Sequence, residues 1–227
     1  MGISYSAFLT QIRNYTEVDS TVLTDNIIAQ FLRNVELDVA NKVDYDDLRK
    51  YFTSTLTANN KFATMPADTK VVRGVFVATT VGGSLSSGTV VYAEKRDQSF
   101  IREFNNTGAT GLPKYWANYD DFTIMVAPTP DVAYPIEVEI IREAPSFTST
   151  NNTYLSTYEQ NLLLYGVLTE AFSYLKGPMD LYNLNKTKYD EELQAFALIQ
   201  MGRRRRGEYD DGVPRIQINS PPPNTTL

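Results

Sequence analysis

The chain has no cysteine and no histidine among its 227 residues. Without cysteine there are no disulfides, no zinc–thiolate sites and no thiol nucleophile. Without histidine the commonest general base and the commonest metal ligand are missing too. Aromatic residues are plentiful, but only one of them is tryptophan. No apolar run approaches the length of a membrane span, and the segment from Met1 to Thr10 lacks the basic start and apolar middle of a signal peptide. The expectation is a soluble protein that is intracellular when made. The net charge of −6 argues against nonspecific nucleic-acid binding over the whole surface, because neutralising phosphates takes clustered cations. One such cluster exists, at Arg203–Arg206. The hydrophobic content of 42% suits an ordinary globular core.

The best-specified stretch is Ser156 to Pro178. Ser156 with Glu159 has the spacing of a capping box, which predicts the helix start. Leu163, Val167 and Ala171 repeat at four, with Leu164, Leu168, Phe172 and Leu175 beside them, so apolar surface covers more than half the girth. Gly177 is suited to a left-handed closing residue, and Pro178 cannot extend the helix. Upstream, Ser4 or Ser6 caps a short helix carrying Phe8, Leu9 and Ile12. A second helix runs from Thr24 to about Lys42, with Ile27, Ile28, Phe31, Leu32, Val35 and Val39 at spacings of three and four. The spacing predicts that Phe31, Leu32 and Val35 pack on Leu164, Leu168 and Phe172. Asp44 to Thr57 reads as a broken helix through Leu48, Tyr51 and Phe52.

From Pro66 the pattern becomes short and β-branched. VVRGVFVATTV and TVVYAEK read as two strands around the turn GGSLSSG, and further strands fit Tyr115–Tyr119, Phe122–Val126 and Ile136–Arg142. Asp180 to about Gln200 reads as a second C-terminal helix with Leu181, Leu184, Tyr189, Leu193, Phe196 and Ala197 on one face. The short Gly177–Pro178 junction sets it antiparallel to the first. The fold class is therefore α+β, with a helical bundle from the N- and C-terminal helices, a mostly antiparallel β-rich insertion and an extended C-terminal arm. The divisions fall at 1–60 for the first helices, 61–145 for the insertion, 146–202 for the closing helix pair and 203–227 for the arm.

Several motifs carry less chemistry than they suggest. Gly83 to Gly88 has the spacing of a phosphate loop, but Thr89 stands where the lysine is needed, so a hairpin turn is the better reading. Asp120 and Asp121 point to opposite faces of an extended strand, which favours a hairpin tip over a two-metal site. Asp44, Asp46 and Asp47 lack the glycine and distal glutamate of a calcium loop and read as a helix start. No catalytic, metal-binding or cofactor-binding residue is assigned, and the chain is not expected to be an enzyme.

Read together, FATMPADTKVVRGV (Phe62–Val75), LPKYW (Leu112–Trp116), FTIMVAPTPDVAY (Phe122–Tyr134), LLLYGVLTEAFSYLKGP and KYDEELQAF resemble the adaptor, or head-to-tail connector, proteins of tailed bacteriophages. Met65 stands where that family usually has leucine. The likeness spans roughly residues 60 to 200. It implies a ring, commonly of twelve copies, in the virion neck between head and tail, assembled in the host cytoplasm. That ring docks under the portal protein, offers its other face to tail or nozzle proteins, and lets DNA pass through its lumen without specific binding. No membrane is implied. On this reading the arm is the portal-docking element, through Arg203, Arg204, Arg205, Arg206, Tyr209, Val213, Arg215, Ile216 and Ile218. Ile216 and Ile218 alternate with polar residues, the period of a segment that can add to another sheet as a strand. The alternative is a binding module whose sheet aromatics, Tyr92, Tyr115, Trp116 and Tyr119, stack on a carbohydrate or single-stranded nucleic acid.

Overall fold

The computed structural model describes residues 2–80, 82, 85, 88–106 and 108–205, with side chains as far as Gly202. The described residues form an α+β fold of six α-helices and a curled, mixed seven-stranded sheet. The first two helices begin where a side chain can accept from the unpaired N–H groups of a first turn. In α1 (Tyr5–Thr16) Ser4 accepts from Ala7, and in α2 (Asp25–Lys42) Thr24 accepts from Ile27. Ile28, Leu32, Val35 and Val39 then make the buried stripe of α2.

The stretch expected as a broken helix differs. After a short 3-10 turn at Asp46–Leu48 the chain extends as β1 (Arg49–Thr55). β1 pairs antiparallel with β7 (Pro135–Arg142), from Arg49 opposite Ile141 to Thr55 opposite Pro135. Aromatic and β-branched residues favour a pleated strand, and this preference outweighs the weak helical spacing of Leu48, Tyr51 and Phe52. The sheet therefore starts inside the segment assigned to the first helices.

The remaining strands are β2 (Phe62–Thr64), β3 (Thr69–Ala78), β4 (Val90–Lys95), β5 (Tyr115–Asp120) and β6 (Thr123–Ala127), in the spatial order β1-β7-β3-β4-β5-β6-β2. All pairings are antiparallel except β4 with β5. A parallel pair needs a crossover, and α3 (Gln98–Asn106) supplies it. Sequence periodicity misses this helix because Ile101 is its single buried residue; its Phe100 and Phe104 lie against Tyr115.

The closing helices also begin and end differently from the expectation. The capping box lies one turn earlier, between Thr153 and Ser156, whose side chains accept from each other's backbone N–H at 3.1 and 2.9 Å. It opens a short α4 (Tyr154–Tyr158), and the backbone breaks at Glu159 before α5 (Gln160–Tyr174). Ser156 is thus the third helical residue, where its hydroxyl serves as well as the glutamate of the usual box. α5 closes in a Schellman motif, with the Lys176 N–H on the Ser173 carbonyl and the Gly177 N–H on that of Phe172. Its left-handed residue is Lys176, at φ +53°, not Gly177. A Cβ on Gly177 would lie 2.9 Å from Cδ1 of Phe172, so glycine is needed there for space.

α6 (Met179–Arg205) runs back along α5. Its buried stripe is Asn185, Tyr189, Phe196 and Gln200, whereas Leu181 and Leu184, expected inside, are exposed. The four residues from Asn185 to Gln200 share one face at helical spacing, which leaves Leu184 on the outer side, while Leu181, four residues before Asn185, lies on the same face but is exposed in the first turn of the helix.

Helices and sheet each have a core. The helical one joins Phe8, Ile12, Ile28, Leu32, Val35, Val39, Leu155, Leu163, Leu164, Val167, Leu168, Phe172, Tyr189 and Phe196, with Phe31 half-buried against it. The sheet's core includes Val75, Val77, Trp116, Ile124, Val126, Ile136, Val138 and Ile140.

Candidate interaction surfaces

Salt bridges and buried polar contacts tie the helices to the sheet. The Glu36 carboxylate, 1% exposed, accepts the Phe147 N–H at 2.7 Å. The Arg33 guanidinium lies 3.6 Å from its second oxygen and also binds the Glu143 carboxylate and the Ala144 carbonyl. Burial pushes the Glu36 carboxyl above the usual range, while the Phe147 N–H and Arg33 oppose the shift. Asp47 pairs with Arg142 at 2.9 Å, and Asp44 lies 4.0 Å from both Arg49 and Arg73. These two aspartates clamp β1, β3 and β7 to the end of α2. On the other side of α2, Asp38 receives the Tyr189 hydroxyl at 2.7 Å and the Lys42 ammonium at 2.6 Å. Burial first, and the bond to Asp38 second, raise the Tyr189 phenol far above its ordinary value.

The helices come into close contact at Gly166. A Cβ placed there would lie 2.6 and 3.0 Å from the two γ-carbons of Val35 and 3.1 Å from Cε2 of Tyr189. α2, α5 and α6 pack through this gap. Gly166 carried no signal in the sequence, where it reads only as a weak point in an apolar helix.

Asp120 and Asp121 occupy the β5–β6 turn, and the Asp120 carboxylate accepts the Phe122 N–H at 3.0 Å. Among the described residues no three Asp or Glu side chains cluster closely enough to hold a metal ion. Of the glycine–serine turn, only Gly82, Leu85 and Gly88 are described. The aromatics of the alternative reading do not make one stacking platform. Trp116 is fully buried with Lys95 over its ring, Tyr115 packs in the aromatic group of α3, and Tyr119 leans on Phe62 at 4.8 Å. Only Tyr92 and Tyr119 are substantially exposed.

Of the arm residues, Arg203, Arg204 and Arg205 belong to the backbone of the last turn of α6, so the helix continues past the point where the arm was expected to begin. Arg206, Tyr209, Val213, Arg215, Ile216 and Ile218 lie outside the described residues. Exposed apolar side chains stand at both ends of α6, namely Met179, Leu181 and Leu184 at one and Leu198 and Ile199 at the other.

A cleft of about 390 Å³ opens between the first half of β3 and the β5–β6 hairpin. Its walls include Met65, Thr69 to Val72 and Asn118 to Ile124. Thr69 is 7% exposed, and its hydroxyl has no hydrogen-bond partner among the described residues. No described helix is long and apolar enough to cross a membrane.

No curated protein matches the chain at a significant level. The family model described as SU10 adaptor protein matches residues 3–221, nearly the whole sequence. The order of turns, strands and closing helices that resembles phage connectors is thus matched from one end to the other, and the chain belongs to the SU10 adaptor protein family of tailed bacteriophages.

Proposed function

We propose that this protein is a structural component of the virion neck, a ring, commonly of twelve copies, that sits beneath the portal and joins it to tail or nozzle proteins. The family match over residues 3–221 carries the reading. The helical layer supports it, since α6 presents apolar side chains outward at both ends, and oligomeric interfaces draw on such residues. The run Arg203–Arg206 concentrates positive charge in four consecutive residues, and steers the encounter with an acidic portal surface. DNA passes through the lumen without specific binding. Twelve copies at −6 carry a formal charge of about −72, and acidic channel walls repel phosphate and let the duplex slide. Assembly takes place in the host cytoplasm, and no cofactor or catalytic step is involved.

Sedimentation velocity of the purified protein, alone and with portal rings, tests the reading. A large closed oligomer, free or on the portal, is expected. A 25.6 kDa monomer that ignores the portal and binds a carbohydrate or single-stranded DNA refutes it.

A further inference from the structure

β4 pairs with β3 only from Val75 to Ala78 and with β5 only at Tyr115 and Trp116. Below that level the chain turns away into α3. Thr69–Gly74 of β3 and Ala117–Asp120 of β5 are therefore left facing each other with no strand between them, and the 390 Å³ cleft lies in this gap. Strands on either side of a third lie two inter-strand spacings apart, about 10 Å, so the vacancy has the width of one added strand. Backbone edges left open in this way attract further strands, and folded proteins rarely leave them uncovered. Thr69, whose buried hydroxyl has no partner among the described residues, is one of the residues that line the same gap.

We infer that this gap is an acceptor slot, filled in the assembled ring by residues 213–219, Val-Pro-Arg-Ile-Gln-Ile-Asn, of the adjacent copy. The inference rests on the ring reading for its neighbour, and it gives the strand-forming part of the arm a nearer acceptor than the portal.

Three observations favour this occupant. The first is the level at which the chain leaves α6. Phe196 packs on Tyr45 at 5.5 Å and Gln200 donates to the Tyr154 hydroxyl. Asn41 and Asp44, beside Tyr45, hold Lys70 and Arg73 of β3 at the slot. The last packed turn of α6 therefore sits at the level of the α2 end that holds the slot's β3 wall, and the arm follows it in the chain. Second, α6 has 27 residues against 15 in α5. At 1.5 Å per residue it outruns α5 by about 18 Å, of which the part up to Gln200 packs on Tyr45 and Tyr154 and the last five residues, about 8 Å, extend past that contact. Gly202 has open space where a Cβ would stand, so the helix carries the chain away from its own body. The seven residues from 206 to 212 then span up to ~25 Å before the strand begins.

The third is side-chain complementarity. With Ile216 and Ile218 turned inward they continue the apolar layer of Val72, Ile124 and Met65, which line the slot and are themselves buried in the sheet's core. Arg215, Gln217 and Asn219 then face outward on the side of exposed Val71 and near Asp120 and Asp121. Lys70, the slot's own cation, is bonded to Asn41 at 2.7 Å and leaves those aspartates to the incoming arginine. Running in the direction of β4, the added strand bonds antiparallel to β3 and parallel to β5, as β4 does.

The absence of native cysteine makes the test clean. Full-length Val71→Cys protein is mixed with full-length chains carrying single cysteines at 215 to 219, under mild oxidation, both concentrated and on portal rings. Disulfide heterodimers are expected with cysteines at 215, 217 and 219, about tenfold above those at 216 and 218 and above a Val22→Cys control paired with Gln217→Cys, because docking raises the effective concentration. Equal yields at odd and even positions, or no excess over the control, overturn the proposal. So does closure of a Val71→Cys/Gln217→Cys double variant within a single chain, which would place the strand in its own slot. Sedimentation of the same samples separates the two readings. A ring without the cross-link rejects the strand and keeps the adaptor, and a cross-linked series without closure keeps the strand and rejects the ring.

Discussion

Replacing Gly166 with alanine tests the close contact of α2, α5 and α6. The new Cβ would sit 2.6 Å from one γ-carbon of Val35 and 3.0 Å from the other, against about 3.6 Å for ordinary contact. Val35 cannot swing aside, because a β-branched residue in a helix has one strongly preferred rotamer. The helices must separate by roughly 1 Å, and overpacking of this kind costs about 1–3 kcal/mol. Alanine returns about 1 kcal/mol through its better helix propensity. The net loss is about 0–2 kcal/mol, or a fall of up to roughly 6 °C in Tm for a chain of this size. Truncating Val35 to alanine removes both clashing carbons and leaves Tyr189 Cε2 at 3.1 Å as the nearest neighbour. In that background Gly166→Ala should be neutral or stabilising, giving a coupling of about 2 kcal/mol in a double-mutant cycle. Urea unfolding followed through Trp116, the single tryptophan, measures it. The packing argument fails if Gly166→Ala stabilises the wild-type protein by the full propensity term and Val35→Ala leaves that effect unchanged.

Leu168, fully buried in the helical core, should cost about 2–5 kcal/mol when cut to alanine, and an unchanged melt would refute its central place. Lys176→Gly should gain about 0.5–1 kcal/mol, because glycine takes the left-handed φ of the Schellman motif without strain; a loss measured by denaturant titration would count against the motif. The raised pKa of Glu36 means the folded protein binds its proton more tightly than the unfolded chain does, so this group's penalty grows as pH rises from the ordinary carboxylate value through the folded one. Glu36→Gln should therefore melt higher than wild type at neutral pH, with the advantage shrinking on acidification. Thermal melts showing an advantage that grows with acid would contradict the sign.

Where one face of a segment is apolar and its ends carry their own caps, the sequence was enough to read the structure. α2 is such a segment, with Thr24 before it and an unbroken stripe through Val39. The strands bounded by Pro135 and by the turn at Asp120–Asp121 were legible for the same reason. Features set by distant parts of the chain were not. β1 exists because β7 is there to pair with it, 80 residues on at Thr55 opposite Pro135, and only tertiary pairing separates that outcome from a broken helix. Gly166 and Gly177 differ from ordinary helix and turn glycines only through Val35 and Phe172, residues that local pattern does not bring to them. The cleft between β3 and β5 follows from where β4 stops pairing, and its nearest sequence signal is the aromatic crossover segment Gln98–Asn106. Glu36 sits on the buried side of α2 among apolar neighbours, and its partner, the Phe147 N–H, comes from 111 residues further on, where local pattern does not reach.

The central claim, that this chain is the adaptor beneath a portal, is tested most directly by electron cryomicroscopy of the full-length protein mixed with purified portal rings. The account predicts a closed ring of copies, commonly twelve, seated coaxially on the portal with an open channel and the residues beyond Arg205 reaching out from the helical layer. A portal ring that stays bare at saturating protein, or single copies attached without closing a ring, would contradict it.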